Sequence, residues 1–158
     1  MPGFTIIPFE ERFAADFKRL NVEWLQMYFS VEPHDEVVLS DPQGQILAPG
    51  GYIFLAQTGD DIVGTCALLN AGQGRFEIAK MAVTPRHKGH GIGRQLLDAA
   101  IAQFRNLRGR ELFLESNSRM TPAIRLYESS GFVQMPRPEP SHYKRSDVYM
   151  VYRGSRHS

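Results

Sequence analysis

Residues 86–94 read Arg86-His87-Lys88-Gly89-His90-Gly91-Ile92-Gly93-Arg94, and what stands on either side of them decides the fold. Upstream, residues 75–83 make a strand that ends in a near-continuous apolar run and is stopped by Thr84-Pro85. Downstream, Ile92, Leu96, Ala100, Phe104 and Leu107 recur at the spacing of an amphipathic helix of about four turns. Glycines at the alternate positions 89, 91 and 93 let the backbone approach a ligand closely and adopt positive φ. Their amides, together with the unpaired N–H groups at a helix start, make an anion site. Arg86, Lys88 and Arg94 add cationic side chains, so a diphosphate is the natural guest.

Working outward, residues 111–116 alternate as a strand with Leu112 and Leu114 on one face. The strand, the helix and this second strand form a crossover unit, which requires a parallel pair joined in the right-handed sense. Before the unit, residues 52–57 and 61–69 read as strands joined by a turn at Gly59-Asp60, and Gly72 and Gly74 mark the next turn. Residues 4–9 give a first short strand. Phe13, Phe17, Leu20, Trp24 and Met27 then form a helical stripe read as core, with Glu10 and Glu11 at the helix start. Residues 33–51, broken by Pro33, Pro42, Pro49 and Gly50-Gly51, read as a loop with one short helix at 35–39. Beyond residue 116, Thr121 is expected to cap a helix over 122–130, with Pro122 at its first position and Gly131 ending it beside Phe132. Residues 148–152 are a final strand, and the tail from Gly154 is expected to fray. The fold class is α/β (α+β type): one mixed central sheet of about six to seven strands flanked by about four helices.

The 158 residues suit a single domain over 1–158 with its core in 4–153. The net charge of +1 gives no global argument for a nucleic-acid or membrane partner, and none is expected. Cys66 is alone, which excludes an internal disulfide, and its apolar neighbours read as a buried strand, so it is expected in the core. The histidines lack paired spacing, so no metal site is expected. With no basic leader and no long apolar run, a cytoplasmic location is expected.

The glycine loop fits neither common nucleotide motif. No Walker A sequence is present, and the third glycine of a Gly-x-Gly-x-x-Gly fingerprint falls on Arg94 or Leu96. What it does fit is Arg-x-x-Gly-x-Gly followed by Ile-Gly and a helix. This resembles the acyl-CoA loop of the GNAT superfamily of N-acyltransferases. Residues 77–83 are similar to the strand before that loop. The later run Ala123-Ile124-Arg125-Leu126-Tyr127-Glu128-Ser129-Ser130-Gly131-Phe132 is similar to the family's last motif.

The resemblance implies acetyl-CoA as cosubstrate and a primary amine of a small molecule or peptide as acceptor, with direct attack in a ternary complex. It implies Tyr127 as donor to the leaving thiolate and Glu77 as general base. Met81, Ala82 and Val83 would offer main-chain groups to the pantetheine arm and the thioester. Arg86, His87, Lys88, Gly89, His90, Gly91, Ile92, Gly93 and Arg94 would cradle the diphosphate, with Ala123 and Asn117 beside the arm. Many relatives carry an asparagine where this chain has Met120, which leaves Asn117 or Ser118 to substitute for it. His34, His142 and Tyr143 are candidates for the acceptor side. The family often forms dimers, so a homodimer is allowed. Glu32, Asp35, Glu36 and Asp41 could draw in a cationic amine, although such a run is more often a solvated face. Two other readings stay open: a non-catalytic acyl-CoA sensor, and a nucleotide-binding protein of another class.

Overall fold

The computed structural model describes residues 3–154. Strands β1 (Thr5–Pro8), β2 (Tyr52–Thr58), β3 (Asp61–Gly72), β4 (Arg75–Val83), β5 (Glu111–Ser116), β6 (Phe132–Gln134) and β7 (Val148–Tyr152) form one sheet in the order β1-β2-β3-β4-β5-β7-β6. β4 and β5 are parallel, as the crossover requires, and every other neighbouring pair is antiparallel. Helices α3 (Ile92–Asn106) and α4 (Thr121–Ser129) cover one face. Helices α1 (Ala14–Tyr28) and α2 (Pro33–Ser40) cover the other.

Each face has its own core. On one, Leu96, Leu97 and Ala100 of α3 meet Cys66, Leu68, Ile78, Leu112 and Leu114. On the other, Phe17, Leu20 and Leu25 of α1 meet Leu39, Ile53, Leu55 and Ala67. Strand alternation sends neighbouring residues to opposite faces and so feeds both cores. Cys66 is fully buried, and burial pushes its thiol up to about 12. It is a core residue, not a nucleophile.

Four local readings change. The α1 stripe is core as far as Trp24, which packs against it and also lines both cavities, but Met27 is 51% exposed and Leu25 is buried in its place. Residues 33–51 hold more helix than their prolines suggested. Pro33 opens α2 at its first position, Asp35 accepts the Glu32 N–H (2.9 Å), and a π-helical turn follows at Gln43–Leu47. Thr121 is the first residue of α4 and not its cap, since Met120 precedes it with no capping side chain. Phe132, read only as a contact beside Gly131, also begins the edge strand β6, paired to β7. The tail beyond Gly154 lies outside the described residues. No helix among the described residues is long and apolar enough to cross a membrane.

Candidate active site

The glycine loop ends as an open helix start. Gly91 precedes α3 at φ 81°, a conformation costly for any residue with a Cβ, and no side chain caps the helix. The Gln95 N–H is the first to bond back, to the Gly91 carbonyl (3.1 Å), which leaves the amides of Ile92, Gly93 and Arg94 free. A Cβ at Gly89 or Gly91 would meet nothing within 4 Å, so open space lies in front of these amides. That space is a cavity of about 550 Å³. Among the residues expected at the diphosphate and arm, it is lined by Met81, Ala82, Val83, His87, Lys88, Gly89, Gly91, Ile92, Gly93 and Ala123. Arg86, His90 and Arg94 stand outside its walls. Arg94 instead donates to Ser129 Oγ (2.7 Å) and ties α3 to α4. Sequence reasoning missed Arg119, which lines this cavity, stacks over the Phe29 ring (4.8 Å) and donates to the Tyr28 carbonyl (3.4 Å). Lys88 also reaches Tyr28, donating to its hydroxyl. The walls are mostly apolar with two cations and a row of free amides. That donor set fits a long apolar arm ending in phosphates.

A bulge in β4 opens the sheet beside this cavity. Thr65 pairs with Ala82 but Ala67 pairs with Ala79, so Lys80 and Met81 both face Cys66 across the ladder, and Lys80 has φ 52°. The extra residue inverts the alternation. Before it, Phe76 and Ile78 point to the α3 side; after it, Met81 and Val83 do. Lys80 is thereby turned out of that core towards α2. On its other edge, β4 pairs with β5 only from Arg75 to Ile78, although both strands continue. The main chain of residues 81–83 therefore has no strand partner on that side and stays available to a ligand.

A second cavity, about 120 Å³, lies across the gap on the α1–α2 face. Glu77, Glu115, Lys80, Asp35, Tyr143 and Arg145 line it, with Asn21, Trp24 and Leu25 from α1 and Phe29 just beyond its end. Trp24, Phe29, Met81, Met120, Ala123 and Tyr127 line both cavities. The two spaces thus share one wall, and Tyr127 and Met81 are in it.

Tyr127 is half-buried, with its ring edge-on to Phe132 (6.2 Å). Among the described residues its hydroxyl has no protein hydrogen-bond partner, so it is free to donate. Burial, with a smaller effect of the Cys66 thiol, pushes this phenol up, and it is protonated at neutral pH. Glu77 makes no ion pair or hydrogen bond among the described residues. Burial first, then the charge of Glu115, pushes its carboxyl to about 7 against the opposing pull of Lys80, Arg75 and Arg137. The parallel register explains the pairing of carboxylates: Glu77 lies opposite Phe113, and Glu115, two residues on, shares that face. Glu115 is itself held by Arg137 and by Ser146 Oγ (3.1 Å).

The acidic run is divided: Glu36 and Asp41 are exposed, as a solvated face would be, whereas Glu32 and Asp35 turn inward. Asp35 is fully buried and binds Lys80 Nζ (3.0 Å) and both terminal nitrogens of Arg145 (2.7 and 2.8 Å). Burial pushes its carboxyl up, but Arg145, the Glu32 N–H and Lys80 outweigh burial and leave it at about 2. The stabilisation from this depressed value is complete above about pH 4 and is lost as pH falls towards 2. Glu32 also pairs with Arg145 (3.3 Å), and Glu36 with Lys18 (2.8 Å). Asp35→Ala leaves Lys80 buried without its carboxylate and Arg145 with Glu32 alone. The expected loss is about 3–5 kcal/mol, a fall of about 6–20 °C in melting temperature by calorimetry.

His34, His142 and Tyr143 come together at the rim. The imidazoles stack at 4.6 Å and Tyr143 lies 5.3 Å from His34. Burial, then His142 and Lys80, lower the His34 pKa. Tyr143 accepts a hydrogen bond from Lys80 Nζ (2.8 Å) and alone of the three lines the smaller cavity. Asn117 also lines that cavity and not the larger one. Its amide already donates to the Arg145 carbonyl (2.7 Å) and accepts from the Arg119 N–H (2.9 Å). Among the described residues no cluster of histidine, cysteine and carboxylates could hold a metal.

Residues 17–132 match the family model described as "Acetyltransferase (GNAT) family". The chain belongs to the GNAT family. N-alpha-acetyltransferase 30 of Saccharomyces cerevisiae is 31% identical over 77 residues, 49% of this chain and 44% of that protein. The chain therefore spans about half the length of such curated relatives. A GNAT-family acetyltransferase from Staphylococcus aureus superposes with a TM-score of 0.87 at 19% identity, covering 95% of this chain and 98% of that one. The protein yncA of Salmonella typhimurium, solved with its cofactor acetyl-CoA, superposes with a TM-score of 0.72 at 20% identity over 94% and 92% of the two chains. These last two likenesses establish the fold, a single mixed sheet of the GNAT type.

Proposed function

We propose that this GNAT protein transfers the acetyl group of acetyl-CoA to a primary amine, by direct attack with both substrates bound. The observation that carries the reading is the shared wall. A cleft suited to a diphosphate and its arm meets a carboxylate-bearing pocket at Tyr127 and Met81. Acetyl-CoA supplies an activated thioester. The main chain of Met81 to Val83, unpaired on the β5 side, offers its carbonyl oxygen hydrogen-bond donors, a contribution of the order of 3 kcal/mol per donor. Glu77 takes one proton from the arriving ammonium, directly or through water, and returns it to solvent. Tyr127 donates to the departing sulfur. A thiol is a stronger acid than this phenol, so the Tyr127 proton crosses only as the amine's second proton replaces it. The balance is ammonium plus thioester giving amide, thiol and one proton.

Two tests separate the alternatives. Acetyl-CoA should raise the melting temperature where ATP and NAD do not, because only a ligand of the native state stabilises it. Thiol release on adding amines, followed with a thiol-reactive dye, should then exceed the rate without amine. Tight acetyl-CoA binding with no release from any amine or peptide would favour the sensor reading. The Glu77 role has its own signature. A base must be ionised to work, so kcat/KM should rise with pH around an inflection near 7, the value to which burial lifts Glu77. Glu77→Gln should remove that inflection and leave only the ionisation of the amine, near 10. An unchanged pH profile would take Glu77 out of the chemistry.

A further inference from the structure

The acceptor pocket has an unusual charge arrangement. Its cations are already taken. Lys80 is held by Asp35 and Tyr143, and Arg145 by Asp35 and Glu32. Arg137, behind Glu115, is held by that carboxylate. Of the carboxylates, Asp35 serves two cations and Glu115 serves Arg137. Among the described residues lining the pocket, Glu77 is the one carboxylate left without a partner. The remaining wall is mixed: Trp24, Leu25, Phe29 and Met120 give it an apolar side, Ser116, Ser146 and Tyr127 bring neutral hydroxyls, and the Asn21 amide nitrogen is committed to the Phe17 carbonyl (2.9 Å).

From this arrangement we infer that the acceptor is a compact, singly charged primary amine on an apolar body, with no carboxylate beside its amino group. The inference rests on the transferase reading and narrows its acceptor. An ammonium group finds one uncompensated negative partner, Glu77, and its carbon skeleton finds aromatic and aliphatic walls. A carboxylate on the same substrate would find no free cation. To bind it, Lys80 or Arg145 would have to leave a fully buried Asp35, and stripping a buried carboxylate of a partner is costly. A second ammonium, as in a diamine, would lack a second free carboxylate. An extended peptide is disfavoured on other grounds. The connection between β6 and β7 is strapped over the pocket through Arg145 to α2 and through the Lys144 N–H to Glu32 (2.9 Å), and Arg137 pins it to β5. The cavity of about 120 Å³ is also small. A cavity of about 150 Å³ holds a benzene ring, so this smaller one takes at most a single ring or a short branched chain.

Matched pairs that differ only in the carboxylate test the inference on the whole chain. Phenethylamine is compared with phenylalanine, and isoamylamine with leucine. Cadaverine and a short unblocked peptide complete the set. Initial rates of thiol release at fixed acetyl-CoA give kcat/KM for each. Each monoamine is expected to exceed its amino acid by about 100-fold or more, because the amino acid's carboxylate enters the pocket without a partner cation, and to exceed cadaverine and the peptide. Equal or faster reaction of the amino acids, the diamine or the peptide overturns the acceptor class while leaving transfer itself standing. No thiol release from any member, with acetyl-CoA binding seen by calorimetry, overturns both the class and the transferase reading.

Discussion

Tyr127→Phe should lower kcat by about 100- to 1,000-fold, the effect of removing one hydrogen-bond donor aimed at developing charge, while the KM for acetyl-CoA changes little. The substitution removes one oxygen and keeps the ring, so the edge-on contact with Phe132 survives and the shared wall keeps its shape. Because the hydroxyl has no protein partner among the described residues, its loss orphans no other group and folding should be unaffected. Any effect must then appear where the hydroxyl meets substrate. A donor to the departing sulfur acts mainly as charge develops there, so it belongs to kcat and not to ground-state binding. Steady-state kinetics with a reactive amine measure both parameters. An unchanged kcat would return Tyr127 to being a packing residue of α4. A raised KM with normal kcat would make it a binding residue only.

The glycine-loop half of this candidate site was legible because its signals are local. Residues 75–83, 111–116 and 148–152 read correctly as strands, since apolar runs and alternation between turn residues leave few other choices. Of the glycines at 89, 91 and 93, the first two have the positive φ expected of them, whereas Gly93 is already inside α3 and does not. The acceptor half was far less legible. Asp35 and Arg145 are 110 residues apart in sequence, and no spacing rule joins a residue of α2 to one in the connection before β7. Asp35 looked like part of a charged surface, yet its ionic partners made burial tolerable. Two signals were available and unused. Lys80 is a charge inside an apolar strand, the mark of a bulge or a pocket. Glu115 shares a sheet face with Glu77 once the parallel register is laid out. Met27 failed for another reason: helical spacing identifies a stripe but not where the sheet beneath it ends. Trp24 keeps the spacing and packs against the core, while also bordering both cavities.

Gly91→Val should weaken acetyl-CoA binding by about 100-fold or more, equivalent to about 2.7 kcal/mol, because two penalties fall on one position. Gly91 holds φ 81°, where a side chain costs about 1–2 kcal/mol and a β-branched one more. Relaxing that strain rotates the amides that open α3 away from their common target. The second penalty is steric. A Cβ here meets no protein atom within 4 Å and so projects into the space before the helix start, which the phosphates need. A control isolates the binding effect from loss of stability. Gly59, in the β2–β3 turn, also has positive φ (58°) and an equally unobstructed Cβ position, but does not line the cleft. Gly59→Val should therefore lower the melting temperature while leaving the affinity for acetyl-CoA within about threefold, a change under about 0.7 kcal/mol. Calorimetric titration of both variants, each checked for folding by circular dichroism, makes the comparison. A folded Gly91→Val protein with undiminished affinity would move the phosphates away from the α3 N-terminus, and the shared-wall geometry would lose its donor side.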